Sequence, residues 1–122
     1  MIRIFLSALF VNFLSGCATD SGLYQWGGYE NDLYAAYKDT TQVEKLRINL
    51  ETHTSLMEKN GQRVAPGLYA ELGTLYLQSG APARAIIMYK KERDMWPESR
   101  GLMSAMIQNL ERRQKATQDT KI

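Results

Sequence analysis

Apolar positions recur at helical spacing through most of the chain, in stretches separated by short polar links that carry glycine or proline. Val43, Leu46, Leu50 and Met57 fall on one stripe of a helix. The pair Asn60-Gly61 ends that stripe with a residue able to take a left-handed conformation. Just ahead of it, Thr41-x-x-Glu44 has the spacing of a capping box, in which hydroxyl and carboxylate would satisfy free amides at the helix start. Upstream, Glu30 to Lys38 forms a short helix with Leu33, Tyr34 and Tyr37 on one face. Downstream, Leu102, Met103, Met106, Ile107 and Leu110 keep helical spacing behind Ser99, a candidate cap, and the polar residues 114–122 read as a disordered tail. No segment alternates as a strand does, and β-branched clusters are few. The pattern therefore predicts an all-α fold of about five helices.

The most informative stretch runs from Pro66 to Pro97, "PGLYAELGTLYLQSGAPARAIIMYKKERDMWP". The tetratricopeptide pattern is W-x2-L-G-x2-Y, then alanine, an aromatic and a closing proline, in a repeat of about 34 residues. Tyr69, Leu72, Gly73 and Tyr76 supply its first half here, and Ala85, Tyr89 and Pro97 follow at matching distances. Each type has a physical task. Gly73 and Ala85 are small where two antiparallel helices cross, Tyr69, Tyr76 and Tyr89 fill the space beside them, and Pro97 stops the second helix. Gly80 suits the close of the first helix and Pro82 the first turn of the second. Glu92 stands where the pattern has a second alanine, which predicts looser packing there. One repeat cannot bury its own faces, so the flanking helices are expected to complete a short array of hairpins across residues 24–113.

The beginning of the chain follows a different pattern. After Arg3, residues Ile4 to Leu14 are apolar except for Ser7 and Asn12, a run within the about 7–15 residues of a signal-peptide core and well short of the roughly 20 needed to span a bilayer. It ends in Leu14-Ser15-Gly16-Cys17, which resembles the lipobox of bacterial lipoproteins. That resemblance implies cleavage of residues 1–16, acylation of Cys17 and a lipidated tether over residues 17–23. Cys17 is the only cysteine, so a disulfide within the chain is excluded and lipid attachment is its expected use. Ala18, in place of an aspartate after the cysteine, implies sorting to the outer membrane, facing the periplasm.

Charge narrows the class of partner. The 15 Lys and Arg against 13 Asp and Glu leave a formal net charge of +2, and the positive residues are interleaved with Glu44, Glu92, Asp94 and Glu111. A nucleic-acid partner is not expected, because such proteins carry a strongly basic patch or stripe. The basic cluster Arg84, Lys90, Lys91 and Arg93 reads as a solvated helix face. Catalysis needs a convergent set of groups. The single histidine, His53, sits mid-helix among threonines, there is no second histidine or cysteine beside it to share a metal, and Gly27-Gly28 lacks the strand and helix that frame a phosphate loop. Neither an enzyme, a cofactor, a bound metal nor a small-molecule substrate is expected.

Binding surfaces remain. In tetratricopeptide proteins the groove is lined by first-helix residues, which here places Ala70, Thr74, Leu77 and Gln78 as candidates. Clamp-type members hold a terminal carboxylate with lysines and asparagines at such places; this chain has none, so an apolar or helical peptide fits better. The second candidate surface is aromatic. Tyr24, Trp26 and Tyr29 follow the tether closely, and Trp26 and Tyr29 would serve as contacts if they are not simply a cover over the first hydrophobic face.

The lipobox together with "YQWGGYENDLY", "VAPGLYAELGTLYLQSG" and "MWPES" resembles an uncharacterised family of small proteobacterial lipoproteins with a tetratricopeptide-like core. Members are often encoded beside a lipoprotein similar to the curli secretion pore and a third small lipoprotein. The resemblance implies a shared envelope assembly and gives no activity. Two roles follow as expectations: an anchored adaptor that binds a partner lipoprotein or other envelope protein through its groove, and an envelope-maintenance protein that contacts peptidoglycan or a cell-wall enzyme.

Overall fold

The computed structural model describes residues 22–121, and all regular structure among them is helical. The signal segment, the lipobox and Cys17 lie outside the described residues. The five helices are α1 (Tyr29–Lys38), α2 (Val43–Lys59), α3 (Leu68–Gln78), α4 (Pro82–Met95) and α5 (Arg100–Asp119), with single 3-10 turns at Thr40–Gln42 and Pro97–Ser99. Successive helices run antiparallel. None of the described helices is long and apolar enough to cross a membrane.

The core is built where the spacing predicted. Leu46, Leu50 and Met57 of α2, Leu68, Leu72 and Leu75 of α3, Ile86 of α4, and Met103, Ile107 and Leu110 of α5 are all buried. The three tyrosines of the repeat, Tyr69, Tyr76 and Tyr89, are among its largest fully buried side chains. Gly73 is obligatory at the α3–α4 crossing: a Cβ there would stand 2.7 Å from Cε1 of Tyr89 and 3.2 Å from the Ala85 carbonyl oxygen. The helix stops also behave as expected. Gly61 (φ 65°) and Gly80 (φ 81°) are left-handed, and each closes a paired hydrogen-bond motif, Gln62 N to Met57 O at 2.8 Å and Ala81 N to Tyr76 O at 2.9 Å.

Several local expectations are corrected. The Thr41/Glu44 capping box does not form, because Asp39 lies two residues earlier and accepts from both the Thr41 amide (2.9 Å) and the Thr41 hydroxyl (2.7 Å). Thr41 is thereby drawn into the 3-10 turn, and Glu44 pairs with Arg47 instead. Ser99 does not cap α5; its hydroxyl donates to Glu92. Helix α1 exists, but its Leu33–Tyr34–Tyr37 face is not the buried one. Ala36 is the buried residue of α1, a small side chain that allows close approach to α2, and Tyr34 and Tyr37 stay 62% and 87% exposed. Finally, residues 114–119 continue α5 rather than forming a tail. They are rich in good helix formers, and the hydroxyls of Thr117 and Thr120 bond back to the carbonyls one turn earlier.

Candidate functional site

Helix α3 lies between α2 and α4, and α4 lies between α3 and α5, so the start of α4 and the far half of α5 flank the end of α3. They enclose an open groove of about 700 Å³. Its floor is apolar, from Leu77, Pro82, Ala83 and Leu110, and Arg113 and Lys121 stand on its rim. The local sequence makes it so. Gly80 turns the chain sharply at the end of α3, Pro82 starts α4 without needing an amide partner, and α5 overhangs the turn because it does not stop at residue 113.

The four groove candidates do not share this site equally. Leu77 lines it and packs half-buried on the core. Gln78 lines a different, smaller depression with Thr41, Glu44 and Arg47 beside α2. Thr74 and Ala70 are half-buried, one and two turns back along α3 from Leu77. The Thr74 hydroxyl is engaged inward, with the Ala70 carbonyl at 3.0 Å and the Tyr89 hydroxyl at 3.1 Å.

The aromatic candidates divide in the same manner. Tyr24 packs edge-on against the Trp96 ring at 5.5 Å and against Trp26 at 6.3 Å, and Tyr29 is packed on the core. Burial, reinforced by the nearby Glu71 carboxylate, raises the Tyr29 phenol above its ordinary pKa. Trp26 stays 38% exposed. His53 holds this segment down: its Nε2 lies 3.0 Å from the Gln25 carbonyl oxygen. The left-handed Gly27 passes so close to the imidazole that a Cβ there would collide with the ring. Among the described residues, no three His, Cys, Asp or Glu side chains converge in a way that could hold a metal.

The basic cluster is paired with carboxylates. Side chains of α2, α3 and α4 carry one arrangement twice, seven residues apart. Glu58 accepts from Lys91 and from the Tyr69 hydroxyl, while the Lys91 ammonium stands 5.5 Å from the centre of the Tyr69 ring. One heptad earlier, Glu51 pairs with Arg84 at 2.7 Å, and the Arg84 guanidinium lies 4.2 Å over the Tyr76 ring. Burial alone would raise the Glu58 carboxyl, but the Lys91 and Tyr69 hydrogen bonds outweigh it and hold the group below its usual range. The Tyr76 hydroxyl, and then Arg84 and Arg47, do the same for Glu51 against its own burial. In return, burial and then Glu58 push the Tyr69 phenol strongly upward. These groups are locked in pairs that join α2 to α4. Lys90 pairs with Glu111 and Arg93 with Asp94. The expectation of a merely solvated face overlooks this pairing, whose signal in the sequence is the common spacing of seven in Glu51/Glu58, Tyr69/Tyr76 and Arg84/Lys91.

Glu92 corrects another expectation. It does not loosen the packing but is fully buried, and its Oε1 accepts from the Gly67 amide at 2.8 Å and the Ser99 hydroxyl at 3.1 Å. Gly67 opens α3 without a side-chain cap of its own, so the Glu92 carboxyl of α4 supplies that cap from outside. Arg63, in the link between α2 and α3, reinforces the same corner: it donates to the Met95 carbonyl at 2.9 Å and stacks 4.3 Å over Trp96.

The arrangement offers a rigid helical frame, a groove with an apolar floor, and an exposed aromatic segment. No curated protein and no solved structure matches the chain. A family model, described as a domain of unknown function, matches residues 23–106, the segment that runs from just before α1 into the first third of α5. The match spans more than half of the sequence, and the chain belongs to this family, DUF4810.

Proposed function

We propose that this protein is a lipid-anchored adaptor of the bacterial envelope, held at the outer membrane by acylated Cys17 and facing the periplasm. In this reading the groove beside Leu77 takes a segment of another envelope protein, with a partner lipoprotein of a pore-like assembly as the expected ligand. The observation that carries it is the groove itself: an open trough of about 700 Å³ with an apolar floor, walled by α3, α4 and α5, which suits a peptide or helix presenting apolar anchors. The lipobox supports the anchor, and a tether of a few residues before the folded part suits a module that works close to its membrane.

The test is co-purification after in-cell crosslinking, comparing the natural chain with a Leu77→Arg, Ala83→Arg double variant. Ala83 is exposed and Leu77 half-buried, so the helical circular-dichroism signal should be retained. Loss of the co-purifying envelope proteins with helicity intact is the expected result. Unchanged co-purification contradicts the groove.

A further inference from the structure

The exposed aromatic side of α1 has no partner within the described fold. Leu33, Tyr34 and Tyr37 spread over one side of the helix, 40%, 62% and 87% exposed, and Leu23 and Trp26 stand exposed just before it. This set is costly to leave in water and is unusual in composition: two tyrosines, a tryptophan and two leucines, with polar tips on large apolar bodies. Tyrosine and tryptophan are the side chains enriched at the level of lipid headgroups, where one end of the ring is apolar and the other wet. The helix carries Glu30 and Asp32 in its first turn and Lys38 in its last, and the Lys38 ammonium stands 5.1 Å from the centre of the Tyr34 ring.

The tether decides which occupant fits. Leu23 lies six residues beyond Cys17, a span that even fully extended reaches no more than about 22 Å. An acyl group on Cys17 therefore keeps the start of α1 within one short tether of the headgroups, at a high effective concentration of bilayer surface. We infer that the Leu23, Trp26, Leu33, Tyr34 and Tyr37 surface rests on the lipid headgroups, so that the domain lies on the membrane by α1. This inference rests on the anchored-adaptor reading for the lipid at Cys17. It adds an orientation: α1 faces the bilayer and α5 is held away from it.

The experiment uses the full-length chain purified from membranes and reconstituted at low protein-to-lipid ratio into vesicles of phosphatidylethanolamine and phosphatidylglycerol. An environment-sensitive fluorophore is attached through Tyr37→Cys, or through Lys115→Cys on α5 as reference, and mass spectrometry of the N-terminal peptide reports the acylation of Cys17. The expected result is a blue-shifted label at position 37 that is quenched by headgroup nitroxide lipids and shielded from aqueous iodide, with the label at 115 open to iodide. Adding Tyr34→Glu should re-expose position 37 while Cys17 stays acylated. An acylated chain whose label at 37 is as open to iodide as that at 115 overturns the inference and leaves the anchor standing. An unmodified Cys17 overturns both. Shielding that appears only as protein density rises assigns the surface to a second copy of the chain and also overturns it.

Discussion

Replacing Glu92 by alanine restores the residue that the tetratricopeptide pattern has at this position, and the structure predicts that the restoration is harmful. The side chain is fully buried and accepts two hydrogen bonds, from the Gly67 amide that opens α3 and from the Ser99 hydroxyl that leads into α5. Each bond contributes about 1 to 1.5 kcal/mol, and removing the acceptor strands its donors. Truncation in a closed site adds a cavity cost of about 1 kcal/mol. The sum is about 3 kcal/mol, which for a domain of this size lowers Tm by more than about 10 °C. The competing effect is that Oε2 of Glu92 is buried without a partner, a penalty that alanine relieves. Glu92→Gln separates the two, because it keeps an acceptor of the same shape for the Gly67 amide and should lose no more than about 1 kcal/mol. Urea and thermal unfolding followed at the helical band measure both variants. If Glu92→Ala is as stable as the natural chain or more so, the desolvation penalty dominates and the three-helix tie is refuted.

Gly73→Ala gains helix propensity of about 1 kcal/mol but drives a Cβ to 2.7 Å from the buried Tyr89 ring. A net loss of about 1–2 kcal/mol in urea unfolding is expected from overpacking. Gly73→Val should lose more. Burial raises the Glu71 carboxyl above its ordinary pKa, so its charged form opposes folding above that pKa. Glu71→Gln should therefore be more stable than the natural chain at pH 7, with the difference vanishing as the pH falls through the ordinary glutamate range, where the carboxyl is protonated in the folded and the unfolded chain alike. Glu58 has the opposite sign. Its depressed folded pKa gives stability that is present above the usual glutamate range and lost as pH falls through the lower folded value, so Glu58→Gln should flatten the acid limb of the stability–pH curve. His53→Ala removes the partner of the Gln25 carbonyl and should speed hydrogen exchange across residues 24–28 while leaving α3 and α4 unchanged.

What was legible in the sequence was legible because side-chain size and period are fixed by helix geometry. The α3–α4 crossing follows from Gly73, Ala85 and Tyr89, since only a missing Cβ admits that ring. The stripe through Leu46, Leu50 and Met57 marks the buried face of α2 because that helix has neighbours enough to cover it. The same rule misled for α1: a period shows that a stripe exists, not which side meets a neighbour, and Ala36 won over Leu33, Tyr34 and Tyr37 by permitting close approach. The Thr41 box failed through competition at short range from Asp39, and the end of α5 through intrinsic propensity that outlasts tertiary contact. Glu92 escapes the repeat pattern because the pattern counts it only as bulk, whereas its value lies in two donors 25 residues upstream and seven downstream. Of the binding candidates, Leu77 reaches the main groove, while Gln78, Thr74 and Ala70 share its helix without sharing its surroundings.

The most direct test of the adaptor reading is site-specific photocrosslinking in cells. A photoreactive residue is placed at Leu77, on the groove floor, and separately at Gln108, on the polar outer side of α5, in the otherwise natural full-length chain. Adducts to one or two envelope proteins from position 77, absent from position 108 and lost with Cys17→Ser, are the predicted result. Adducts from position 108 alone, or none from position 77 while the protein is present at normal level, would contradict a partner held in the groove.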